Sequence, residues 1–262
     1  MDLPFTTMTQ LLLFVFVGFR MLGFLINVHF VQQVNLPMIL KASLPFGLSL
    51  ILFPSYSKLT LTAQDNFIWL TFALIQEFMI GALLSYCVNM LTTGAQIAGH
   101  QISHQVGFEI VEIFDPSTKT STPLVGRLLY LVAIALFFSL GMHHFVLEIA
   151  AKTIDWIPPG KMVLTNLEFW GVMSNRFVSM ADKLVEQSLF LVLPVVGALL
   201  ALEVVLALDS KIAPQMNVFM VSMSLKLGLG LLFTWLATPY FEFAFTALFT
   251  EFSKTLASVF QI

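Results

Sequence analysis

Five apolar runs, residues 11–31, 67–93, 123–147, 187–208 and 213–238, constrain this chain more than any motif in it. A helix that crosses a bilayer needs roughly 20 mostly apolar residues, and in hydrocarbon its backbone groups must pair within the segment itself. The runs therefore predict a polytopic helical membrane protein. Composition agrees. Of 262 residues, 58% are hydrophobic and 10% charged, whereas a soluble domain carries about 25% charged residues. So few charges cannot cover a water-facing surface, which excludes an ordinary soluble enzyme, a disordered chain and a nucleic-acid binder. A net charge of −3 leaves no basic patch for phosphates. The single cysteine, Cys87, excludes an internal disulfide framework and a cysteine-only metal site, and reads as a small core residue.

The first run follows Met1-Asp2 without a basic residue ahead of it, and Arg20 interrupts it. A removable signal wants a basic start, a shorter core and a small-residue cleavage site. The segment is expected to stay as a membrane helix. Residues 38–53 are bracketed by Pro37 and Pro54 with Pro45 inside, and predict a broken or partial span. Residues 240–252 predict a short final helix. Two polar stretches separate the spans, 94–122 and 148–183; the second holds the turn Ile157-Pro158-Pro159-Gly160 and a polar helical piece from Asn166 to Lys183. The last two spans predict a tight helical hairpin turning near Asp209-Ser210-Lys211, with Pro214 opening its second helix. Lys and Arg scatter over nearly every loop, so charge assigns no sidedness.

Six ionisable residues fall in or beside apolar spans: Arg20, Lys41, Glu77, Arg127, Glu203 and Lys226. Each would cost about 2.5–3.5 kcal/mol at a lipid-facing helix centre. They are expected to face helices, water or other subunits. Structural ion pairs in a bundle, an ion or proton relay, and pairing with other subunits are the three readings. Folding the hairpin about residue 211 offsets Glu203 from Lys226 by roughly 10 Å along the axis. That register disfavours an internal pair and points to partners on other chains.

The stretch 94–122 is the most informative. Gly94, Gly99 and Gly107 allow close backbone approach, and Gln96, His100, Gln101, Ser103, His104 and Gln105 are too polar for lipid. Phe108, Ile110, Val111, Ile113 and Phe114 follow, and Asp115-Pro116 ends the run. A polar wall leading to a bulky apolar loop is what a hydrophobic constriction needs; an amphipathic surface helix leading into a loop gives the same composition. His100 and His104 have metal-ligand spacing, but Gln101 stands where a zinc hydrolase needs its carboxylate. No nucleophile elbow, P-loop or dinucleotide fingerprint is present. Gly228-Leu229-Gly230 reads as helix packing. The reading is of a non-enzyme that needs no cofactor and no metal.

Three segments carry a family resemblance. Gly99-His-Gln-Ile-Ser-His-Gln-Val-Gly107-Phe108, continuing to Phe114-Asp115-Pro116, is one. Ser121-Thr-Pro-Leu through Gly141-Met-His-His144 to Ile157-Pro-Pro-Gly160 is the second, and Lys211-Ile-Ala-Pro214-Gln215-Met-Asn-Val-Phe219 with Lys226 the third. In this order along almost the whole chain they resemble the FliR family of export-gate proteins, called SctT in virulence injectisomes.

The resemblance implies an all-α subunit of the flagellar type III export gate in the bacterial inner membrane, at the flagellar basal body. Its implied partners are FliP-like and FliQ-like membrane subunits, an FlhB-like export switch protein, lipid and unfolded export substrates. Residues 1–183 would form a FliP-like part and 184–262 a FliQ-like hairpin with its tail. The family's plug loop falls on Gly107 to Asp115, which implies Phe108, Ile110, Ile113 and Phe114 as the plug. Gly99, Gly107 and Pro116 become hinge or close-packing points. Gln101, Gln105, Glu203, Lys211, Pro214, Gln215 and Lys226 become channel-lining or assembly residues. Glu109 and Glu112 depart from the small or hydroxyl residues common in the family's loop. The alternatives are the injectisome subunit and a self-contained secondary transporter, for which embedded charges and a broken span speak but for which no paired repeat is visible.

Overall fold

The computed structural model describes residues 8–33, 37–57, 67–107, 124–162, 166–212 and 218–259. Among them the regular structure is α-helical, with no strand. In chain order the helices are α1 (Met8–Asn27), α2 (His29–Gln33), α3 (Met38–Tyr56), α4 (Phe67–Val106), α5 (Leu124–Ser139), α6 (Met142–Trp156), α7 (Leu167–Ile212), α8 (Val218–Leu236) and α9 (Thr238–Val259). By length and composition α1, α3, α4 and residues 171–212 of α7 can each cross a membrane. Up to six spans result if α5 with α6, and α8 with α9, each count as one interrupted span. This is the architecture expected of a polytopic membrane protein.

Several boundaries differ from those the sequence predicts. Residues 38–53 are not a broken span: α3 runs unbroken through Pro45 and Pro54. A proline in a membrane helix survives where neighbours support the turn. Here Phe46 meets the rings of Phe14 and Phe19 of α1, and the Ser49 hydroxyl donates to the Phe14 carbonyl at 3.2 Å. The run 123–147 is not one helix, because the chain breaks at Leu140-Gly141, where Gly141 takes φ +69°. The polar residues 94–106 continue α4 as regular helix. Likewise Asp209-Ser210-Lys211 is no turn but the last turn of α7. Nothing there breaks a helix, and Lys211 suits its negative C-terminal end. The helix ends at Ile212, two positions before Pro214 in the sequence.

The chain divides into two compact units, each discontinuous in sequence. One holds α1, α2, α3, α4 up to Asn89, α6, and α7 up to Val178. Its core gathers Leu13, Phe16, Val17 and Met21 of α1 with Ile80, Leu84 and Val88 of α4. The other holds α4 from Met90, α5, α7 from Ser179, α8, and α9 as far as Thr255. Its core is a layer of Ala98, Ile102, Val106, Val125, Leu129, Val195, Leu199 and Phe241. In that unit α9 leaves α8 at a 56° bend.

Candidate functional site

The first unit is organised around a buried ion pair. Arg20 and Glu77 each lie about one turn before a glycine, Gly23 on α1 and Gly81 on α4. A Cβ on Gly81 would stand 1.9 Å from the Arg20 carbonyl oxygen, and one on Gly23 2.1 Å from that of Phe78. The two helices therefore touch backbone to backbone, as small residues allow in membrane helices. That approach brings the Arg20 Nε to 2.6 Å from the Glu77 Oε2. The remaining guanidinium nitrogens donate to the Thr153 and Ile157 carbonyls at 2.7 and 2.8 Å. The Gly160 N–H donates to the other Glu77 oxygen at 3.0 Å. Every charged nitrogen and oxygen of the pair is engaged, as a buried pair requires. The cluster fixes the end of α6 and the Ile157-Pro-Pro-Gly160 turn. The sequence shows both charges but not their pairing; a charge with glycine one turn later, on two apolar helices, is its local signal.

In the second unit Lys226 of α8 donates to Glu203 of α7. This overturns the expectation that the two are out of register. The hairpin turns between Ile212 and Val218, about four residues later than expected, and that shift sets Glu203 level with Lys226. Their side chains stay 38% and 22% exposed. Lys41 donates to the Gln32 carbonyl at 3.4 Å. Arg127 stands on the exposed face of α5 with Leu128 and Leu131.

The C-terminal third of α4 carries several predicted residues. Gly99 is buried against Gly126 of α5: a Cβ there would lie 2.5 Å from the Gly126 Cα and 2.8 Å from the Val125 carbonyl oxygen. Gly107 ends the helix at φ +89°, its N–H shared between the Ser103 and His104 carbonyls at 3.0 and 3.1 Å. Only glycine adopts that backbone without strain. Gln101 and His104 are exposed and Gln105 is half-buried, while Ile102, Ser103 and Val106 turn inward. Lys211 is exposed on the last turn of α7. Phe108, Ile110, Ile113, Phe114, Pro116, Pro214 and Gln215 lie outside the described residues.

Long apolar helices, a buried pair of opposite charge and glycine-mediated helix contacts define a polytopic, all-α membrane protein. The chain belongs to the bacterial export proteins, family 1, which match residues 11–252. It is 26% identical over 220 residues to the flagellar biosynthetic protein FliR of Bacillus subtilis (strain 168), covering 83% of this chain and 82% of that one. To the flagellar biosynthetic protein FliR of Escherichia coli (strain K12) it is 25% identical over 246 residues, 92% and 89% of the two chains. The surface presentation of antigens protein SpaR of Shigella flexneri is 27% identical over 173 residues, 65% of each. It is thus a membrane protein of the bacterial export class, with relatives in flagellum biogenesis.

Proposed function

We propose that this chain is a FliR-family subunit of the flagellar type III protein export gate in the bacterial inner membrane. The observation that carries the reading is the family match over residues 11–252 on a chain of membrane-length helices. In this role it assembles with FliP-like and FliQ-like subunits and an FlhB-like switch protein, and unfolded flagellar substrates pass through the assembly. Residues 1–183 supply a FliP-like part and 184–262 a FliQ-like hairpin.

The plug is assigned to Phe108, Ile110, Ile113 and Phe114, immediately after the left-handed Gly107. The apolar segment closes a narrow channel by excluding water and by steric plugging, and an arriving substrate displaces it. Gly99 and Gly107 hold the helix that leads into this segment, with Pro116 at its far end. Gln101 and Lys211, exposed in the isolated chain, and the half-buried Gln105 line the channel or meet neighbouring subunits, as do Pro214 and Gln215. The likeness to SpaR favours one second reading, the corresponding injectisome subunit.

The test is purification from the native cell in mild detergent. Recovery of FliP- and FliQ-like chains in one particle supports the gate, and the accompanying flagellar or injectisome proteins decide the setting. A lone chain or small homo-oligomer, under conditions that preserve other complexes, refutes it. Ile110→Gly with Ile113→Gly should raise ion conductance of the assembled gate; unchanged conductance counts against the plug.

A further inference from the structure

The turn that follows α6 delivers a lysine to the mouth of an apolar groove in the first unit. Gly160 takes φ +80°, and its N–H is held by Glu77. Lys161 comes next. Its N–H donates to the Pro158 carbonyl at 3.1 Å, and its carbonyl accepts from the Gln76 Nε2 at 2.5 Å. The backbone is thus fixed on both sides. The side chain is exposed, and its ammonium meets no partner among the described residues.

Lys161 borders a cavity of about 190 Å³, walled by Trp156, Ile157 and Phe169 and edged by Asn166. The Asn166 side-chain oxygen accepts from the Glu168 N–H at 3.0 Å, which leaves its amide group as a donor. The same three wall residues border a narrower cavity of about 30 Å³, which continues between α4 and α7 past Leu83, Cys87, Met173 and Phe177. Ring contacts hold its sides in place: Trp156 with Phe169 at 6.3 Å, and Tyr86 with Phe177 at 6.2 Å. Among the described residues Lys161 is the only charged side chain lining either cavity. Asp155 and Glu168, exposed beside the wall residues, line neither.

We propose that this groove holds one anionic phospholipid, its phosphate on Lys161 and one acyl chain in the slot between α4 and α7. A helix is about 10 Å across with its side chains and cannot enter so narrow a slot. An extended peptide would bring backbone N–H and C=O groups that the apolar lining leaves unpaired. A methylene chain needs no hydrogen bond, and each buried CH₂ is favourable. A phosphate needs a cation and a donor, and Lys161 with the Asn166 amide supplies both. Trp156 at the end of α6 suits the same level, where indole rings meet headgroups. The inference needs only a membrane protein and is independent of the export-gate reading.

The experiment uses the full chain, purified with whatever subunits accompany it and placed in phosphatidylcholine nanodiscs. The probe is trace phosphatidylglycerol carrying a photoreactive diazirine on one acyl chain, and the matching phosphatidylcholine is the control. The phosphatidylglycerol probe should label the α4 peptide holding Leu83 and Cys87 and the α7 peptide holding Met173 and Phe177, and should do so more strongly than the control. Lys161→Ala should cut that labelling about fivefold, the worth of one lysine against an anionic headgroup, at unchanged Tm. Lys161→Arg should keep it. Leu83→Trp, at a half-buried position, should fill the slot and abolish labelling of both peptides. Labelling that prefers neither lipid, or that survives Lys161→Ala, overturns the proposal, as does labelling confined to other helices. Displacement of the probe by inorganic phosphate would show that the anion alone carries binding, and also overturns it. If Lys161→Ala lowers the Tm, the decision passes to the other two variants: lost labelling in Lys161→Arg, or surviving labelling in Leu83→Trp, overturns the proposal.

Discussion

Arg20 and Glu77, 57 positions apart in the chain, meet at 2.6 Å with both residues at most 1% exposed. The backbone approach at Gly23 and Gly81 makes the pair possible, and the pair in turn gathers the Thr153 and Ile157 carbonyls and the Gly160 N–H. Removing one partner strands a charge in a dry site, at a cost of about 3–5 kcal/mol. Glu77→Ala should therefore sharply lower the Tm of the detergent-solubilised protein, and Arg20→Met with Glu77→Leu should recover much of the loss. A single variant as stable as wild type would show that the cluster carries no structural weight.

The Glu203–Lys226 pair predicts a different pattern, because it joins adjacent helices at a half-exposed site. Glu203→Lys or Lys226→Glu alone places like charges at the contact. The exchanged pair, Glu203→Lys with Lys226→Glu, restores the attraction. Accumulation in the membrane and Tm should fall in each single variant and rise again in the exchange. Singles that behave as the double does would argue against a direct pair.

This pair also marks where the sequence was and was not readable. Apolar runs announce membrane helices because length and hydropathy are local properties. Register is not local. Placing the hairpin turn at Asp209-Ser210-Lys211, instead of beyond Ile212, was enough to separate two residues that touch. Pro45 and Pro54 suggested a break in α3, but support from Phe14 and Phe19 comes from another helix. Gly141 interrupts an apolar run through a positive φ that its neighbours do not signal. The plug assignment comes from family resemblance and sequence order, whereas the closeness of Gly99 to Gly126 emerges only when α4 and α5 pack.

Gly99 gives a graded prediction. The atoms that a Cβ would meet there are backbone, the Gly126 Cα and the Val125 carbonyl, so no rotamer change can relieve the clash. Gly99→Ala must spread α4 from α5, and Gly99→Leu must do so further, with overpacking of about 1–3 kcal/mol or more. Folded protein and partner recovery should fall from wild type to alanine to leucine. Leucine tolerated at wild-type yield would contradict the observed approach of the two helices.

Of the six charges embedded in apolar segments, two pairs close within the chain and Lys41 donates to a backbone carbonyl. Arg127 differs: it stands exposed on α5 beside Leu128 and Leu131, both more than half exposed. It also lies in the first turn of its helix, where the positive end of the macrodipole disfavours a cation. Under the proposed assembly this exposed cation is available to an acidic group on a neighbouring subunit. Arg127→Leu should leave the amount and Tm of the lone chain near wild type while lowering recovery of partner subunits, and Arg127→Glu should lower recovery further. Second-site changes of Asp or Glu to Lys or Arg in a partner, selected against Arg127→Glu, would identify the contacting residue. A fall in the lone chain's Tm would instead place the counter-charge within this chain, and undiminished recovery in both variants would leave Arg127 without a part in assembly.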